Sequence, residues 1–133
     1  MKIFSEVFTI SEVDPDGAVF PEVCRLLLKS ESSSMYLDCY TPGLKYKKMD
    51  VVEVAIFSNE NGFSEKDIHA DYTYLMGNGV IYLKENKERS QYVEISFSGL
   101  LAALTTPENR IKEEDRYKRL FIGISQASAG VAR

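Results

Sequence analysis

The sequence predicts an antiparallel all-β domain, either a sandwich or a closed barrel, of seven or eight short strands. Apolar and polar residues alternate along short segments, as where Val93, Ile95 and Phe97 share one face. Residues that favour tight turns lie between these segments. The segments do not alternate regularly with helical patterns, so the spacing favours antiparallel pairing over βαβ units.

Eight segments carry this strand pattern. They are residues 2–10, 23–29, 35–40, 51–58, 72–76, 79–85, 91–98 and 120–124. Tyrosines, valines and isoleucines, which fit a pleated half-buried surface, are common in them. The two segments 72–76 and 79–85 are predicted to form a hairpin, because Asn78-Gly79 between them suits a type I′ turn.

The remaining segments are predicted to connect strands or to end the chain. Residues 14–17 (Asp-Pro-Asp-Gly) and 41–43 (Thr-Pro-Gly) have turn composition. Residues 59–70 are polar and predict a loop, and residues 107–118 are the one short helical candidate. Residues 127–133, mostly Ala, Ser and Gly, predict a flexible tail behind a single domain of residues 1–126.

Length and charge limit the function. The 133 residues are 44% hydrophobic and 27% charged, which suits one globular domain. The formal net charge of −4 argues against a protein held to duplex nucleic acid by phosphate neutralisation. Glu6 interrupts the apolar run that a signal peptide would need, and no stretch approaches eighteen apolar residues, so we expect an intracellular protein without a membrane span.

Residues that could carry chemistry are few. His69 lies near Ser64, Asp67 and Asp71, but nothing marks a nucleophile, and a solvated loop has the same composition. A single His without neighbouring Cys or His makes a poor zinc site. Acidic residues occur in the turn at 14–17 and in a charged run, which is Glu113, Glu114 and Asp115. We interpret the former as turn-formers and the latter as a solvated surface.

The two cysteines, Cys24 and Cys39, lie inside strand segments, and we interpret them as small buried hydrophobes rather than as a disulfide or ligand pair. A second pattern has some nucleic-acid character because tyrosines lie near lysines; these are Tyr36, Tyr40, Tyr46, Lys45, Lys47 and Lys48. Tyrosines shielding a sheet face beside solubilising lysines would give the same pattern, so both interpretations stay open.

Several segments, in order, resemble one family. The first is Phe4, Phe8 and Ile10 followed by the Asp-Pro-Asp-Gly turn, Phe20 and Val23-Cys24-Arg25-Leu26. Later segments follow in register: Ser30-Glu31-Ser32 with Met35 and Leu37-Asp38, Tyr74-Leu75-Met76 with Gly79 and Ile81-Tyr82, and Tyr92-Val93 with Phe97-Ser98-Gly99-Leu100-Leu101. Together they resemble the small shared (eighth) subunit common to eukaryotic nuclear DNA-directed RNA polymerases I, II and III. Ser98 in place of a usual Gly, and Tyr36 in place of a common acidic residue, indicate a divergent member.

The resemblance implies a barrel related to the oligonucleotide/oligosaccharide-binding (OB) fold. It also implies a non-catalytic structural subunit in the nucleus that docks on the largest polymerase subunit. The family implies no metal, no cofactor, no membrane and no sequence-specific contact with nucleic acid. A free-standing single-strand nucleic-acid-binding barrel is the alternative, and a shared fold cannot exclude it.

Four residues are candidates for the partner interface: Tyr82, Leu100, Leu101 and Leu104. Tyr82 lies in the predicted hairpin, and tyrosine is common at interface hot spots. The leucines belong to a run at 100–104 that is too continuously apolar for a half-wetted strand. We expect this run to be buried either against a partner or on both sides within the barrel itself.

Overall fold

The computed structural model describes residues 2–17, 21–42, 46–59 and 72–127. Eight strands and one short 3-10 helix, Glu113–Tyr117, make up the regular structure of these residues. The strands are β1 (Lys2–Val13), β2 (Val23–Lys29), β3 (Ser34–Tyr40), β4 (Val51–Ser58), β5 (Tyr74–Lys87), β6 (Ser90–Phe97), β7 (Leu100–Pro107) and β8 (Leu120–Gln126).

The strands form one closed antiparallel barrel in the order β1-β2-β3-β7-β6-β5-β8-β4. The long β1 makes closure possible because it pairs with β4 through Thr9 and with β2 from Thr9 onward. A register shift between Ile10 and Glu12 bends the strand where it passes to the second partner. The all-β prediction is confirmed, and closure selects the barrel over the sandwich.

Alternation places one side of each strand in the core. On β6, Val93, Ile95 and Phe97 are buried inside, whereas Tyr92 and Glu94 face outward. The same pattern holds on β2, where Cys24, Leu26 and Leu28 point inward. Burial of these aliphatic side chains supplies the main free energy that favours the barrel.

The predicted hairpin at Asn78-Gly79 is wrong. Residues 74–87 form one continuous strand, β5, which pairs with β8 through Met76 and Gly79 and shifts register between those two residues. Asn78 has a φ of +62°, a conformation that Asn tolerates in a bulge as it does in a turn. The Asn-Gly pair therefore marks a bulge that bends the strand.

Residues 100–104 begin β7, a strand that the period-two pattern did not predict. Ala102 and Leu104 face the interior and are fully buried, and Ala103 on the outer side is only 6% exposed. The count of eight strands holds because this added strand offsets the fusion of two predicted strands into β5. The helical prediction at 107–118 is wrong except for the 3-10 helix, since Pro107 belongs to β7.

A cluster of polar side chains around Glu6 joins three parts of the barrel. Glu6 on β1 accepts hydrogen bonds from Ser30, from Ser33 at 2.8 Å and from Arg110 at 3.0 Å. The serines belong to the β2–β3 turn, and Arg110, which also lies over the ring of Phe4 at 4.5 Å, follows β7. Burial alone would raise the pKa of Glu6, but these hydrogen bonds outweigh burial and leave its pKa lowered.

Replacing Glu6 with Gln is expected to destabilise the fold by about 1–3 kcal/mol at neutral pH, because a charged acceptor of several donors is lost. A carboxyl whose pKa is lowered on folding stabilises the native state above its unfolded pKa, and this contribution disappears as pH falls through the folded pKa. The difference between wild type and Glu6→Gln should therefore shrink below about pH 4.5. Urea unfolding at several pH values measures it.

Glu12→Gln is the matched control, because Glu12 also lies on β1 but forms only an exposed ion pair with Lys48 at 3.3 Å. It should change the unfolding free energy by less than about 0.5 kcal/mol at any pH. A Glu6→Gln effect that stays constant as the carboxyl is protonated would contradict the role given to this cluster.

Candidate protein-docking face

One outer surface of the barrel groups three tyrosines, of which Tyr36 and Tyr82 are exposed and Tyr92 is partly exposed. It lies across β3, β7, β6 and β5, which are consecutive in the barrel. We call it the tyrosine face and define it by six outward residues: Tyr36, Val80, Tyr82, Tyr92, Glu94 and Leu101. Tyr36, Val80 and Tyr82 are among the large apolar side chains that the described part of the chain leaves exposed.

Strand register fixes the arrangement of this face. Tyr36 pairs with Ala103, which pairs with Glu94, so the small alanine lies between the tyrosine and the carboxylate. In the adjacent row, Leu101 and Val80 both pair with Ser96. Residues in such cross-strand rows have Cβ atoms about 5 Å apart, which makes the six side chains one surface.

A second irregularity in β5 brings Tyr82 onto this surface. The pairing of β5 with β6 shifts between Ile81 and Leu83, so Leu83 pairs with Glu94 and Tyr82 is the additional residue. A bulge of this kind sets two residues of one strand opposite one of the other. Tyr82 is consequently 53% exposed beside Glu94 while Ile81 stays in the core.

The carboxylate of Glu94 interacts with two of the tyrosines. The Tyr92 hydroxyl donates a hydrogen bond to Glu94 Oε2, and the negative charge of Glu94 also acts on the neighbouring Tyr82 hydroxyl. Partial burial together with this contact raises the pKa of Tyr92 to about 12 and also raises that of Tyr82. Both phenols are therefore protonated at neutral pH and act as donors.

Asp38 anchors the edge of the face near Leu101. Its carboxylate accepts hydrogen bonds from Arg25 Nε at 2.7 Å and Arg25 Nη2 at 3.1 Å. It also accepts one from the Leu101 backbone N–H at 3.1 Å. The hydrogen bond to Asp38 raises the pKa of Arg25. Because Asp38 is only 7% exposed, this forked ion pair fixes where β7 begins and where the Leu101 side chain projects.

The four predicted interface residues lie in different environments. Tyr82 and Leu101 are outward-facing members of the tyrosine face. Leu100 is half-buried and packs against the core cluster at the start of β7. Leu104 is fully buried in the core and offers no surface to a partner, so the prediction that placed it in the interface is wrong. The leucine run is explained in part by burial within the barrel.

Four residues of the face, Tyr36, Val80, Tyr92 and Glu94, were not among the interface candidates. The spacing of Tyr92 and Glu94, opposite the apolar positions of β6, did place these two on a wetted face. Alternation alone cannot show that a bulge on the neighbouring strand adds a second tyrosine to the same carboxylate.

The other sequence candidates do not converge on a reactive site. Cys24 and Cys39 pair directly across β2 and β3 as free, buried thiols, and burial raises the pKa of each. Asp14 Oδ1 accepts the Arg25 backbone N–H at 2.8 Å, which agrees with a turn-forming role. The group around His69 lies outside the described residues. Within the described part of the chain, no three His, Cys, Asp or Glu residues are grouped to hold a metal ion.

The tyrosine and lysine pattern is divided by the fold. Tyr36 lies on the tyrosine face, whereas Tyr46 packs against the core and its hydroxyl contacts Thr73. Lys47 and Lys48 are exposed beyond β3, and Lys45 lies outside the described residues. Among the helical segments that the structure describes, none has the length and apolar character needed to span a membrane.

This chain is similar in sequence to known proteins along nearly its whole length. Residues 5–126 match the family described as RNA polymerase Rpb8, a range that includes nearly all of β1 and every later strand. The chain belongs to the RNA polymerase Rpb8 family. A relative from Dictyostelium discoideum, described as DNA-directed RNA polymerases I, II, and III subunit rpabc3, is 27% identical over 139 residues, which cover 94% of this chain and 97% of the relative.

Membership of the Rpb8 family confirms the prediction of a structural subunit of RNA polymerase that is not itself the catalytic chain. The departures noted in the sequence do not disturb the strands of the barrel.

Proposed function

We propose that this chain is the small subunit shared by nuclear RNA polymerases I, II and III and that it docks on the largest subunit of each. The observation that carries the proposal is the family match across residues 5–126, which leaves no strand of the barrel unmatched. The description of the Dictyostelium relative as a subunit of polymerases I, II and III supports the sharing among three polymerases and, through them, a nuclear location.

The tyrosine face is the surface proposed to dock. Tyrosines are rigid, amphipathic and enriched at interface hot spots, and this face exposes Tyr36 at 41% and Tyr82 at 53%. Leu101 and Val80 add aliphatic surface in the adjacent row. An apolar centre with a polar edge, here the Arg25–Asp38 pair, is the usual anatomy of a protein interface.

The closed barrel explains how such a subunit would act. Every strand has two hydrogen-bonded neighbours, so the barrel has no open edge to recruit further strands. A rigid block of this kind stabilises a much larger chain by holding segments of it in one arrangement. The charges of the tyrosine face favour this role over single-strand nucleic-acid binding, because its carboxylate Glu94 would repel a phosphate backbone.

Crosslinking followed by mass spectrometry tests the proposal on intact enzymes. Polymerases I, II and III are purified separately through tags on their own subunits and treated with a lysine-reactive crosslinker. We expect the chain in all three, with crosslinks to the largest subunit from Lys29 and Lys87, which lie on β2 and β5 toward the two sides of the face. Lys48, beyond β3, should give fewer crosslinks to that subunit.

Each part of the proposal can fail separately. Absence of the chain from one purified polymerase would overturn the shared assignment. Crosslinks from Lys29 and Lys87 mainly to another subunit would overturn docking on the largest one. Crosslinks from Lys48 alone would move the interface away from the tyrosine face.

A further inference from the structure

Glu94 is a carboxylate at the centre of a mostly uncharged surface. Its cross-strand neighbours are Ala103 and Leu83, and Tyr36 lies beyond the alanine. Two other carboxylates border the face: Asp38, which is bonded to Arg25, and the exposed Glu85, which pairs with Tyr92. Among the described residues of the tyrosine face, no cationic side chain is bonded to Glu94. Docking a partner here would remove water from this charge, which costs free energy unless the partner supplies an opposite charge and hydrogen bonds.

The hydrogen bonding of Glu94 leaves room for a cation. An ionised carboxylate offers about four lone-pair positions. The hydroxyl of Tyr92 occupies part of this capacity. The remaining acceptor positions suit a planar donor with two parallel N–H bonds, which is the geometry of a guanidinium group.

The aromatic rings around Glu94 favour the same group. Tyr92 is bonded to the carboxylate, and the β5 bulge places Tyr82 next to the position that pairs with Glu94, so two rings lie close to it. Guanidinium stacks on aromatic rings and is more weakly hydrated than ammonium, so it loses less on leaving water. A lysine would neutralise the charge, but its ammonium group can neither form two parallel N–H bonds to the carboxylate nor stack on the aromatic rings.

We propose that an arginine of the docked polymerase subunit binds Glu94 beside Tyr82 and Tyr92. This inference rests on the proposed function, since it assumes that the tyrosine face is the docking surface, and it names the chemistry of the partner at that surface. The arginine replaces water around the carboxylate and makes Glu94 the charged hot spot of an otherwise apolar contact.

The test uses polymerase assembled in cells with either the wild-type chain or Glu94→Gln. The substitution keeps the shape of the side chain and an oxygen that can accept the Tyr92 hydroxyl, so the barrel is expected to fold. Loss of one partner of a desolvated ion pair mainly raises the dissociation rate. The Glu94→Gln chain should therefore dissociate from the purified polymerase roughly 30-fold faster than the wild-type chain. Its dissociation rate should also depend less on salt concentration than that of the wild type.

Arginine modification identifies the partner group directly. Phenylglyoxal is applied to both polymerases and the modified arginines are mapped by mass spectrometry. One arginine of the neighbouring subunit should be protected with the wild-type chain and become reactive with Glu94→Gln. Glu53→Gln is the matched control, because Glu53 on β4 also accepts hydroxyl donors, Ser5 at 2.7 Å and Ser125 at 3.4 Å, but on the other side of the barrel.

Other outcomes would overturn the inference. Equal dissociation rates with an unchanged arginine pattern would remove Glu94 from the interface. Faster dissociation of the Glu94→Gln chain with an unchanged arginine pattern would overturn the assignment of the cation to an arginine, and release of the chain by nuclease treatment would assign the face to a nucleic acid. If the proposed function itself were wrong, the wild-type chain would not be recovered with any polymerase, which is a different result from normal assembly without an effect of Glu94→Gln.

Discussion

Leu101→Lys is expected to leave the barrel folded and to reduce its incorporation into RNA polymerase by roughly tenfold or more, because a charge would be forced into the centre of a hydrophobic contact. Folding should survive because the Leu101 side chain faces outward and its backbone N–H keeps the hydrogen bond to Asp38. The measurement is the ratio of tagged variant to wild-type chain in polymerase purified from cells that express both.

Val7→Lys is the control for the introduced charge. Val7 is 44% exposed on β1, which is separated from β7 by β2 and β3, so the same change is made away from the tyrosine face. It should be incorporated like wild type. A folded Leu101→Lys chain that enters the polymerase as well as Val7→Lys would show that Leu101 contributes to the barrel and not to docking.

Gly79→Val is expected to be the most damaging single change to stability, at about 3 kcal/mol or more. A Cβ atom at Gly79 would lie 2.4 Å from Cε1 and 2.8 Å from Cζ of Phe97. Phe97 is only 2% exposed, so its ring cannot move aside without disturbing the core. Chemical denaturation of the purified chain measures the loss.

The neighbouring substitution Val80→Ala serves as the comparison. Val80 is 39% exposed on the outer side of the same strand, so its truncation should cost less than about 1 kcal/mol. Similar unfolding midpoints for Gly79→Val and Val80→Ala would mean that β5 can relax around Phe97, and the close packing described for the bulge would be incorrect.

The strands were predictable where one face is buried and the other wetted. On β6, Val93, Ile95 and Phe97 alternate with polar residues, and the structure has the strand at nearly the predicted limits. The alternation fails on β7, since Ala103 lies outside but is covered by its neighbours and is as apolar as the buried positions. A run of apolar residues cannot say which of its faces is covered by the chain itself and which by another protein.

The bulges were beyond sequence reasoning for a different reason. Asn78-Gly79 has the backbone freedom that a hairpin and a bulge both require, and only the partner strand decides between them. Here β8 continues to pair on both sides of the irregularity, so β5 does not reverse. The second bulge, at Tyr82, has no local composition signal, and it is the feature that joins Tyr82 to Glu94 across the strands.

The prediction of the docking face was therefore partial. Tyr82 was selected as an aromatic residue of the predicted hairpin and Leu101 as part of the leucine run, and both lie on the tyrosine face. Leu104 belongs to the same run but lies on the inner side of its strand, in the core. The polymerase assignment did not depend on register, because the family resemblance extends over many short segments in order.

Native mass spectrometry of assemblies purified through a tag on this chain tests the central claim most directly. The account predicts that the chain is recovered in multisubunit RNA polymerase, in equal number with the largest subunit, and that little remains as free monomer. Recovery of the tagged chain only by itself, or only with nucleic acid, from cells whose polymerases are intact would contradict it.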